Sequence, residues 1–209
     1  MDQYQETHNT WNSVAKRYEE AFMDLEIYNA SYDRFCELIA NDKASILEIG
    51  CGPGNMTKYL LDQKPRYQIL ATDVAPNMIV LAQKNVPKAR FQQLDGRYLN
   101  TISEKFHGIL CGFILPYLSA MDTIRLVKNA YTLLYPEGVL YLSFVSGNDR
   151  DSGFIASATG ERTYFYYHNV AILQKELTKL GFQIIEQLEV PYKRSDKIIE
   201  LHTILIVQK

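Results

Sequence analysis

Three glycines stand at alternating positions directly after an apolar stretch, and this spacing is suited to holding a ligand. The segment is Ile46-Leu47-Glu48-Ile49-Gly50-Cys51-Gly52-Pro53-Gly54-Asn55, and a helical pattern follows it. A residue without a Cβ lets the chain turn sharply off a strand while a ligand lies against its backbone. The pattern therefore predicts a pocket for a nucleotide-type cofactor at these glycines.

The spacing separates the possible cofactors. A dinucleotide fingerprint needs G-x-G-x-x-G/A, and counting from Gly50 the last of those places is held by Asn55. A P-loop is excluded because no Gly-Lys-Ser/Thr follows the glycines. The motif is instead E-x-G-x-G-x-G, in which Glu48 is the acidic residue.

Aspartates end the next two predicted strands. Asp73 lies 23 residues after Gly50, close to the spacing of about 20 expected for a carboxylate that binds a ribose. Its alternative role is to cap the helix that begins at Pro76. Asp95 precedes a glycine, where aspartate is also a common turn residue. Both acids are candidates for the same pocket.

The elements that must position these residues alternate along the chain. Strands are predicted at 45–50, 68–72, 89–94, 106–111 and 139–145, with helices at 56–63, 76–85 and 121–134. A helix at 170–180, capped by Asn169 and ended by Gly181, precedes two strands at 182–190 and 198–207 that are expected to be antiparallel. The alternation predicts an α/β fold with a parallel sheet covered on both faces.

Two amphipathic helices precede the first strand. The first carries an aromatic stripe that includes Trp11, Tyr18 and Phe22, with Asn9 or Thr10 as its possible cap. The whole chain has 209 residues, which are enough for one domain with a full core. The predicted division is into cap helices at 1–42, a cofactor-binding core at 43–145, a lid or substrate loop at 146–168, and a helix with an antiparallel strand pair at 169–209.

The motif from Glu48 to Gly54, with Asp73 and Asp95 at successive strand ends, resembles the class I S-adenosylmethionine-dependent methyltransferases of the small-molecule type. The resemblance implies a Rossmann-like, doubly wound, seven-stranded sheet of order 3-2-1-4-5-7-6, with strand 7 antiparallel, beneath two N-terminal cover helices. It also implies S-adenosyl-L-methionine as the cofactor and S-adenosyl-L-homocysteine as the product.

The resemblance further implies roles for individual residues. The glycine loop would support the methionine part and sugar of the cofactor, Asp73 the ribose, and Asp95 with the next backbone N–H the adenine. Glu48 would act near the sulfonium or brace the loop. The cofactor-binding set implied in this way is Tyr18, Glu48, Gly50, Cys51, Gly52, Gly54, Asn55, Asp73, Val74, Ala75, Met78, Asp95, Gly96, Cys111, Gly112 and Phe113.

The acceptor side is less defined by the sequence. A catalytic base is needed only if the acceptor atom carries a proton, and the candidates after the lid are His168, Tyr166 and Tyr167. His168 has the alternative role of flanking the Asn169 cap, and the tyrosine-rich segment 162–167 is equally suited to a strand. The aromatic residues Tyr28 and Tyr117 are expected to bind the substrate.

Composition limits the other function classes. The net charge of −2 and the lack of a basic stripe argue against a nucleic-acid partner. The sequence contains no run of about 18 apolar residues, the length that a membrane-spanning helix would need. Three cysteines without metal-ligand spacing fit a reducing cytoplasm and no metal. The sequence therefore predicts in-line methyl transfer to a small molecule. The alternatives are a non-catalytic S-adenosylmethionine-binding regulator or partner subunit, and an NAD-dependent oxidoreductase.

Overall fold

A computed structural model describes residues 2–157, 159–195 and 198–209. The helices are α1 (Gln3–Phe22), α2 (Asn29–Glu37), α3 (Asn55–Gln63), α4 (Pro76–Asn85), α5 (Ala120–Leu133) and α6 (Val170–Leu180). The strands are β1 (Ser45–Ile49), β2 (Gln68–Asp73), β3 (Arg90–Gln93), β4 (Phe106–Gly112), β5 (Leu134–Val145), β6 (Gly153–Ala156), β7 (Arg162–Phe165), β8 (Gln183–Ser195) and β9 (Ile198–Gln208). Short 3₁₀ turns cover Gly96–Thr101, Leu115–Tyr117 and Asp149–Asp151.

Seven of these strands form one sheet of order β3-β2-β1-β4-β5-β9-β8. The strands from β3 to β5 are parallel, whereas β9 is antiparallel to both β5 and β8. When only the strands of this sheet are numbered, the order is 3-2-1-4-5-7-6 with the seventh reversed. The predicted Rossmann-like topology is therefore confirmed.

Both faces of the sheet are covered by helices, and the central strand β5 shows this directly. Leu142 and Phe144 pack in the core beneath α5 and α6, whereas Tyr141 packs on the opposite side against Phe35 of α2. All four of these side chains are fully buried. Because successive residues of a strand point to opposite faces, a strand buried on both sides needs the near-continuous apolar run seen here.

The predicted starts of α1 and β5 were wrong, and β8 ends at Ser195 instead of 190. Helix α1 begins at Gln3, because the Asp2 carboxylate caps it by accepting a hydrogen bond from Gln5 N at 2.8 Å, so Asn9 and Thr10 lie inside the helix. Strand β5 begins at Leu134, which pairs with Phe106 before a bulge restores the register at Val139. The residues Pro136-Glu137-Gly138 predicted the end of the preceding helix and no strand. In the structure, pairing with β4 on both sides of these residues makes them part of β5.

The predicted lid at 146–168 contains a β-hairpin of β6 and β7, and α1 packs on it. Thr7 Oγ1 accepts a hydrogen bond from Tyr164 N at 2.9 Å, and Thr10 Oγ1 donates to the Arg162 carbonyl at 2.7 Å. Glu6 also forms an ion pair with Arg162. Helix α1 and the hairpin therefore form one cover over the carboxyl ends of the sheet strands. Within the described ranges, no helix is long and apolar enough to cross a membrane.

Candidate functional site

The glycine loop between β1 and α3 has the backbone shape that its composition predicted. Gly50, Gly52 and Gly54 have φ values of +75°, +54° and +91°, a region that side-chain-bearing residues rarely adopt. The loop is anchored to the end of β2 because the Gly50 and Cys51 amides donate to the Thr72 carbonyl at 2.8 and 2.9 Å. The turn therefore presents backbone, rather than side chains, to the space above the sheet.

Two adjoining clefts open at this loop. The first cleft measures about 770 Å³ with its open mouth, and its walls include Thr7, His8, Val74, Met78, Leu94 and Asp95. The second cleft measures about 1250 Å³ on the same basis, and its walls include Tyr28, Tyr32, Phe165, Tyr167, Tyr192 and His202. Gly50, Gly52, Trp11, Tyr18, Gly112, Phe113 and Tyr117 line both clefts, which are therefore continuous at the loop.

Asp73 ends β2 at the wall of the first cleft. One carboxylate oxygen accepts a hydrogen bond from Gly52 N at 2.9 Å, and the other accepts from Ala75 N at 2.8 Å. Burial raises the pKa of this carboxyl, and the backbone hydrogen bonds partly offset the rise. Asp73 thus ties the loop to the start of α4, and the capping role and the ligand-binding role share one geometry.

Asp95 also lines the first cleft, but its carboxylate already has a partner. Arg97 donates to Asp95 Oδ2 from Nε at 2.9 Å and from Nη2 at 2.6 Å. The Arg97 guanidinium also lies 4.0 Å from the centroid of the Tyr4 ring. Gly96 has no room for a side chain, since a Cβ there would lie 2.7 Å from Ile114 Cδ1. A hydrogen bond from adenine, as predicted for Asp95, would have to use those lone pairs of the Asp95 carboxylate that do not accept from Arg97.

Glu48 lies beneath the loop and lines neither cleft. Its side chain is 1% exposed, and it accepts a hydrogen bond from Thr57 Oγ1 of α3 at 2.5 Å. Burial raises the pKa of this carboxyl from its ordinary value of 4.5 to about 8. The structure therefore shows a brace between β1 and the helix that follows the loop.

Glu48→Gln is expected to flatten the pH dependence of stability. The raised pKa means that the folded state holds a proton that the unfolded state releases, so Glu48 lowers stability as pH rises from 4.5 to about 8. At about 1.4 kcal/mol for each pKa unit, the loss is on the order of 5 kcal/mol at most. Urea unfolding at pH 5 and pH 8 measures it, with exposed Glu20→Gln as the control. An equal fall in both variants would contradict this assignment.

The predicted cofactor-binding residues divide into two groups. Those that line one or both clefts are Tyr18, Gly50, Cys51, Gly52, Asn55, Asp73, Val74, Met78, Asp95, Gly96, Gly112 and Phe113. Glu48, Gly54, Ala75 and Cys111 do not line them. Cys111 is 0% exposed because it packs in the core beneath α5, and the space next to Gly54 is filled by Val86 and Ala82. The prediction therefore corresponds to the observed lining in most positions; the exceptions are two buried strand residues and two residues that directly precede helices.

An aromatic partition separates the two clefts. Trp11 packs edge-on against Tyr18 and Tyr117, with ring centroids 5.5 and 5.2 Å apart. The buried Trp11 Nε1 finds no hydrogen-bond acceptor among the described residues. Buried indole N–H groups usually have a partner, so this donor suggests an acceptor atom on a bound ligand. From the sequence, the aromatic stripe of α1 predicted a cover helix or a core helix. The structure adds that the indole nitrogen of Trp11 is buried without a hydrogen-bond partner among the described residues.

Two of the predicted catalytic residues lie away from the clefts. Thr163, Phe165 and Tyr167 line the second cleft, whereas Tyr166 and His168 point to the opposite side because side chains alternate along an extended chain. His168 Nε2 donates to the Leu115 carbonyl at 2.8 Å, and the Tyr166 hydroxyl bonds to Gln3. Burial lowers the pKa of His168. Placing Tyr166 and His168 at the acceptor is therefore corrected, while Tyr167 remains at the cleft wall.

His168→Ala is expected to weaken folding while leaving donor binding unchanged. The substitution removes the buried partner of the Leu115 carbonyl, which costs about 1–3 kcal/mol of unfolding free energy. Urea unfolding gives the stability, and calorimetric titration with S-adenosyl-L-methionine gives the affinity. His107→Gln is the control, since that ring lies at the opposite ends of the strands beside Ser45. A large loss of affinity in a stably folded His168→Ala protein would contradict this role.

A histidine that the sequence reasoning missed lies at the acceptor end instead. His202 of β9 lines the second cleft, and its Nδ1 lies 2.6 Å from the Tyr28 hydroxyl. Its Nε2 lies 3.7 Å from Glu200 Oε2, and its ring stacks on Tyr192 at 4.8 Å. The available signal was polar Glu200 and His202 at alternate positions of a strand rich in apolar residues. Tyr28 and Tyr117, predicted for the substrate, also line this cleft.

Among the described residues no group of histidine, cysteine and acidic side chains could hold a metal ion. All three cysteines are buried and unpaired.

Comparison with known proteins gives a consistent picture. Residues 46–138 match the family model described as a methyltransferase domain. The malonyl-[acyl-carrier protein] O-methyltransferase of Priestia megaterium is 29% identical over 136 residues, covering 64% of this chain and 48% of that protein. The trans-aconitate 2-methyltransferase of Variovorax paradoxus is 29% identical over 131 residues, covering 62% and 48%. The chain thus spans about half the length of these curated relatives.

Solved structures show the same fold. The magnesium protoporphyrin IX methyltransferase of Synechocystis PCC 6803 with bound S-adenosylmethionine superposes with a TM-score of 0.74 at 17% identity, covering 100% of this chain and 98% of that one. A complex of DhpI with S-adenosylhomocysteine gives a TM-score of 0.73 at 15% identity, covering 98% and 96%. At these identities the similarity establishes the fold.

Proposed function

We propose that this protein, whose residues 46–138 match a family model described as a methyltransferase domain, transfers a methyl group from S-adenosyl-L-methionine to a small molecule by in-line displacement. The observation that carries the proposal is the pair of clefts that meet at the glycine loop. Such a pair lets a donor and an acceptor approach each other from opposite sides of one backbone turn.

The residues at the loop fit this cofactor. Backbone of Gly50 and Gly52 lines both clefts, the Asp73 carboxylate lies beside them, and Trp11 Nε1 is a buried donor without a partner in the described chain. The adenosine part would occupy the first cleft, with Asp73 at the ribose, and the methionine part would follow the loop toward Tyr18. The cofactor supplies an activated methyl group on a positively charged sulfur.

Much of the rate enhancement would come from orientation and exclusion of water. The proposed acceptor space lies between the loop and the aromatic walls of the second cleft, and the cover formed by α1 and the β6–β7 hairpin closes over it. The Trp11, Tyr18 and Tyr117 rings would hold the two ligands at a fixed separation. The chain itself would thus supply placement and a dry site.

The shape and charge of the second cleft favour a small-molecule acceptor. Its described walls consist largely of aromatic rings and carry no lysine or arginine, so nothing there neutralises the phosphates of a nucleic acid. A tRNA N(3)-methylcytidine methyltransferase of Schizosaccharomyces pombe is 24% identical over 164 residues, yet the net charge here is −2. Among the relatives, the trans-aconitate 2-methyltransferase is named for a small-molecule acceptor, and the malonyl-[acyl-carrier protein] O-methyltransferase is named for an acyl group on a carrier protein.

Two measurements test the proposed function. Calorimetric titration should show binding of S-adenosyl-L-methionine and S-adenosyl-L-homocysteine, with much weaker binding of NADH. Donor labelled in the methyl group should then transfer label to a compound in a small-metabolite mixture. Binding without any transfer would favour a non-catalytic cofactor-binding protein, and preferential binding of NADH would favour an oxidoreductase.

A further inference from the structure

Three polar side chains lie one after another along the wall of the second cleft. Tyr28, just before α2, places its hydroxyl 2.6 Å from His202 Nδ1, and His202 Nε2 lies 3.7 Å from Glu200 Oε2. All three residues line the cleft. Tyr28 and His202 are each 6% exposed, so both are largely withdrawn from bulk water. Tyr28 and His202 stand 174 positions apart in the sequence, and the fold alone brings them together.

The protonation states follow from burial and from the partners. Burial lowers the pKa of His202 and raises the pKa of Tyr28, so the imidazole is neutral and the phenol keeps its proton near pH 7. The Tyr28 hydroxyl can then donate to His202 Nδ1, which leaves the proton of the ring on Nε2, facing Glu200. In this arrangement the Tyr28 oxygen retains lone pairs with which to accept a hydrogen bond from a bound molecule.

The remaining walls indicate what that molecule is. Tyr28, Phe113 and Tyr192 surround the His202 ring, and the rings of Phe165 and Tyr167 lie on another wall of the same cleft. Flat aromatic walls suit a flat aromatic ligand. Among the described lining residues Glu200 is the one charged side chain. The described lining also contains no lysine or arginine that could bind a carboxylate acceptor.

We propose that Tyr28, His202 and Glu200 form a proton relay, and that the acceptor of the second cleft is an uncharged phenol methylated on oxygen. The inference rests on the proposed function and names the substrate class and the proton acceptor for it. Tyr28 contacts the acceptor hydroxyl, His202 receives the proton, and Glu200 stabilises the resulting imidazolium. A phenol needs such a relay because its oxygen carries a proton at neutral pH.

The proposed step balances atoms and charge. The acceptor O–H bond breaks as its proton passes to the Tyr28 oxygen, and the Tyr28 proton passes to His202 Nδ1. The acceptor oxygen forms the new O–CH₃ bond, and the S–CH₃ bond breaks with its electron pair remaining on sulfur. The products are the aryl methyl ether, neutral S-adenosyl-L-homocysteine and protonated His202, which returns its proton to solvent after product release. The positive charge of the donor thus ends on the imidazole.

The test uses methyl-labelled S-adenosyl-L-methionine and three acceptor panels: phenols of graded acidity from p-cresol to p-nitrophenol, aliphatic carboxylates including trans-aconitate, and primary amines. We expect the wild-type protein to methylate phenols on oxygen. Tyr28→Phe and His202→Gln should each lower kcat on p-cresol about 100-fold or more, the range typical of lost acid–base catalysis. The loss should shrink to less than about 10-fold on p-nitrophenol, which is largely ionised already and needs no base.

His107→Gln serves as the matched control, because this histidine lies at the amino end of β4 beside Ser45 and Asn41. It should keep wild-type rates, and the two relay variants should keep donor affinity within about twofold of wild type, which shows that they are folded. An equal loss on every phenol would overturn the relay. Transfer only to carboxylates or amines would overturn the phenol assignment while supporting the proposed function. Donor binding with no transfer to any panel would overturn both, as would failure to bind the donor.

Discussion

Gly52→Val is expected to abolish binding of S-adenosyl-L-methionine, with a loss of affinity greater than about 100-fold. Gly52 has a φ of +54°, where a β-branched residue is strained by about 1–3 kcal/mol. A Cβ at this position would lie 3.5 Å from Tyr18 Cε1, so the two further methyl groups of valine would occupy the opening shared by the clefts. Strain and occlusion therefore act together at the place where the donor must lie.

Calorimetric titration measures this loss, and thermal unfolding shows whether the variant is folded. Gly153→Val is the matched control, since nothing lies within 4 Å of a Cβ at that position and its backbone has an ordinary conformation. Gly52→Ala provides a milder step, which adds one methyl group and should give an intermediate affinity. Donor affinity within tenfold of wild type in a folded Gly52→Val protein would contradict the placement of the donor at this loop.

Asp73→Ala is expected to weaken donor binding about 100-fold. The carboxylate accepts hydrogen bonds from Gly52 N and Ala75 N, so its loss leaves both amides unpaired and loosens the loop. A hydrogen bond from a ribose hydroxyl to a charged group is worth about 1.5–3 kcal/mol, and about 1.4 kcal/mol corresponds to each tenfold change in affinity. The two effects both lower affinity for the donor.

Titration of Asp73→Ala with S-adenosyl-L-methionine and with S-adenosyl-L-homocysteine should show similar losses, because both ligands carry the same ribose. Asp62→Ala is the control, because Asp62 is an exposed acid on α3 that forms an ion pair with Lys58 of the same helix. Asp73→Asn retains the side-chain volume and should also lose affinity, since its single carbonyl oxygen can accept from Gly52 N or from Ala75 N but not from both. Unchanged affinity in the alanine variant would remove Asp73 from the site.

The backbone of the glycine loop and the position of Asp73 were predictable because the requirements of both are local. Gly50, Gly52 and Gly54 have left-handed backbone conformations that favour glycine, and Asp73 follows its strand at a set distance. The alternation of helices and strands likewise led to the sheet order, which the structure confirms. Features that form within one β-α-β unit of about 30 residues can be predicted from the local sequence pattern.

The acceptor side was not predictable in the same way, because it depends on long-range pairing and on the phase of an extended segment. Side chains alternate between two sides along the extended segment after Arg162, and a shift of one residue would turn Tyr166 instead of Tyr167 toward the cleft. The local composition does not determine which set of alternate residues faces the cleft. His202 comes to Tyr28 only because β9 inserts between β5 and β8. His168, which follows the tyrosine-rich segment, drew attention by proximity in sequence and is instead a buried partner of Leu115.

The packing of α1 on the β6–β7 hairpin affects the order in which parts of the fold can form during synthesis. Thr7 is joined to Tyr164 across a separation of 157 positions, so the ribosome releases the helix long before its partner. During that interval the aromatic stripe with Trp11 and Tyr18 has no hairpin to rest on, and a nascent chain exposes it to chaperones. The strand that carries His202 emerges later still. We therefore expect the glycine loop and its neighbouring strands to be able to order during translation before the cover and the relay assemble.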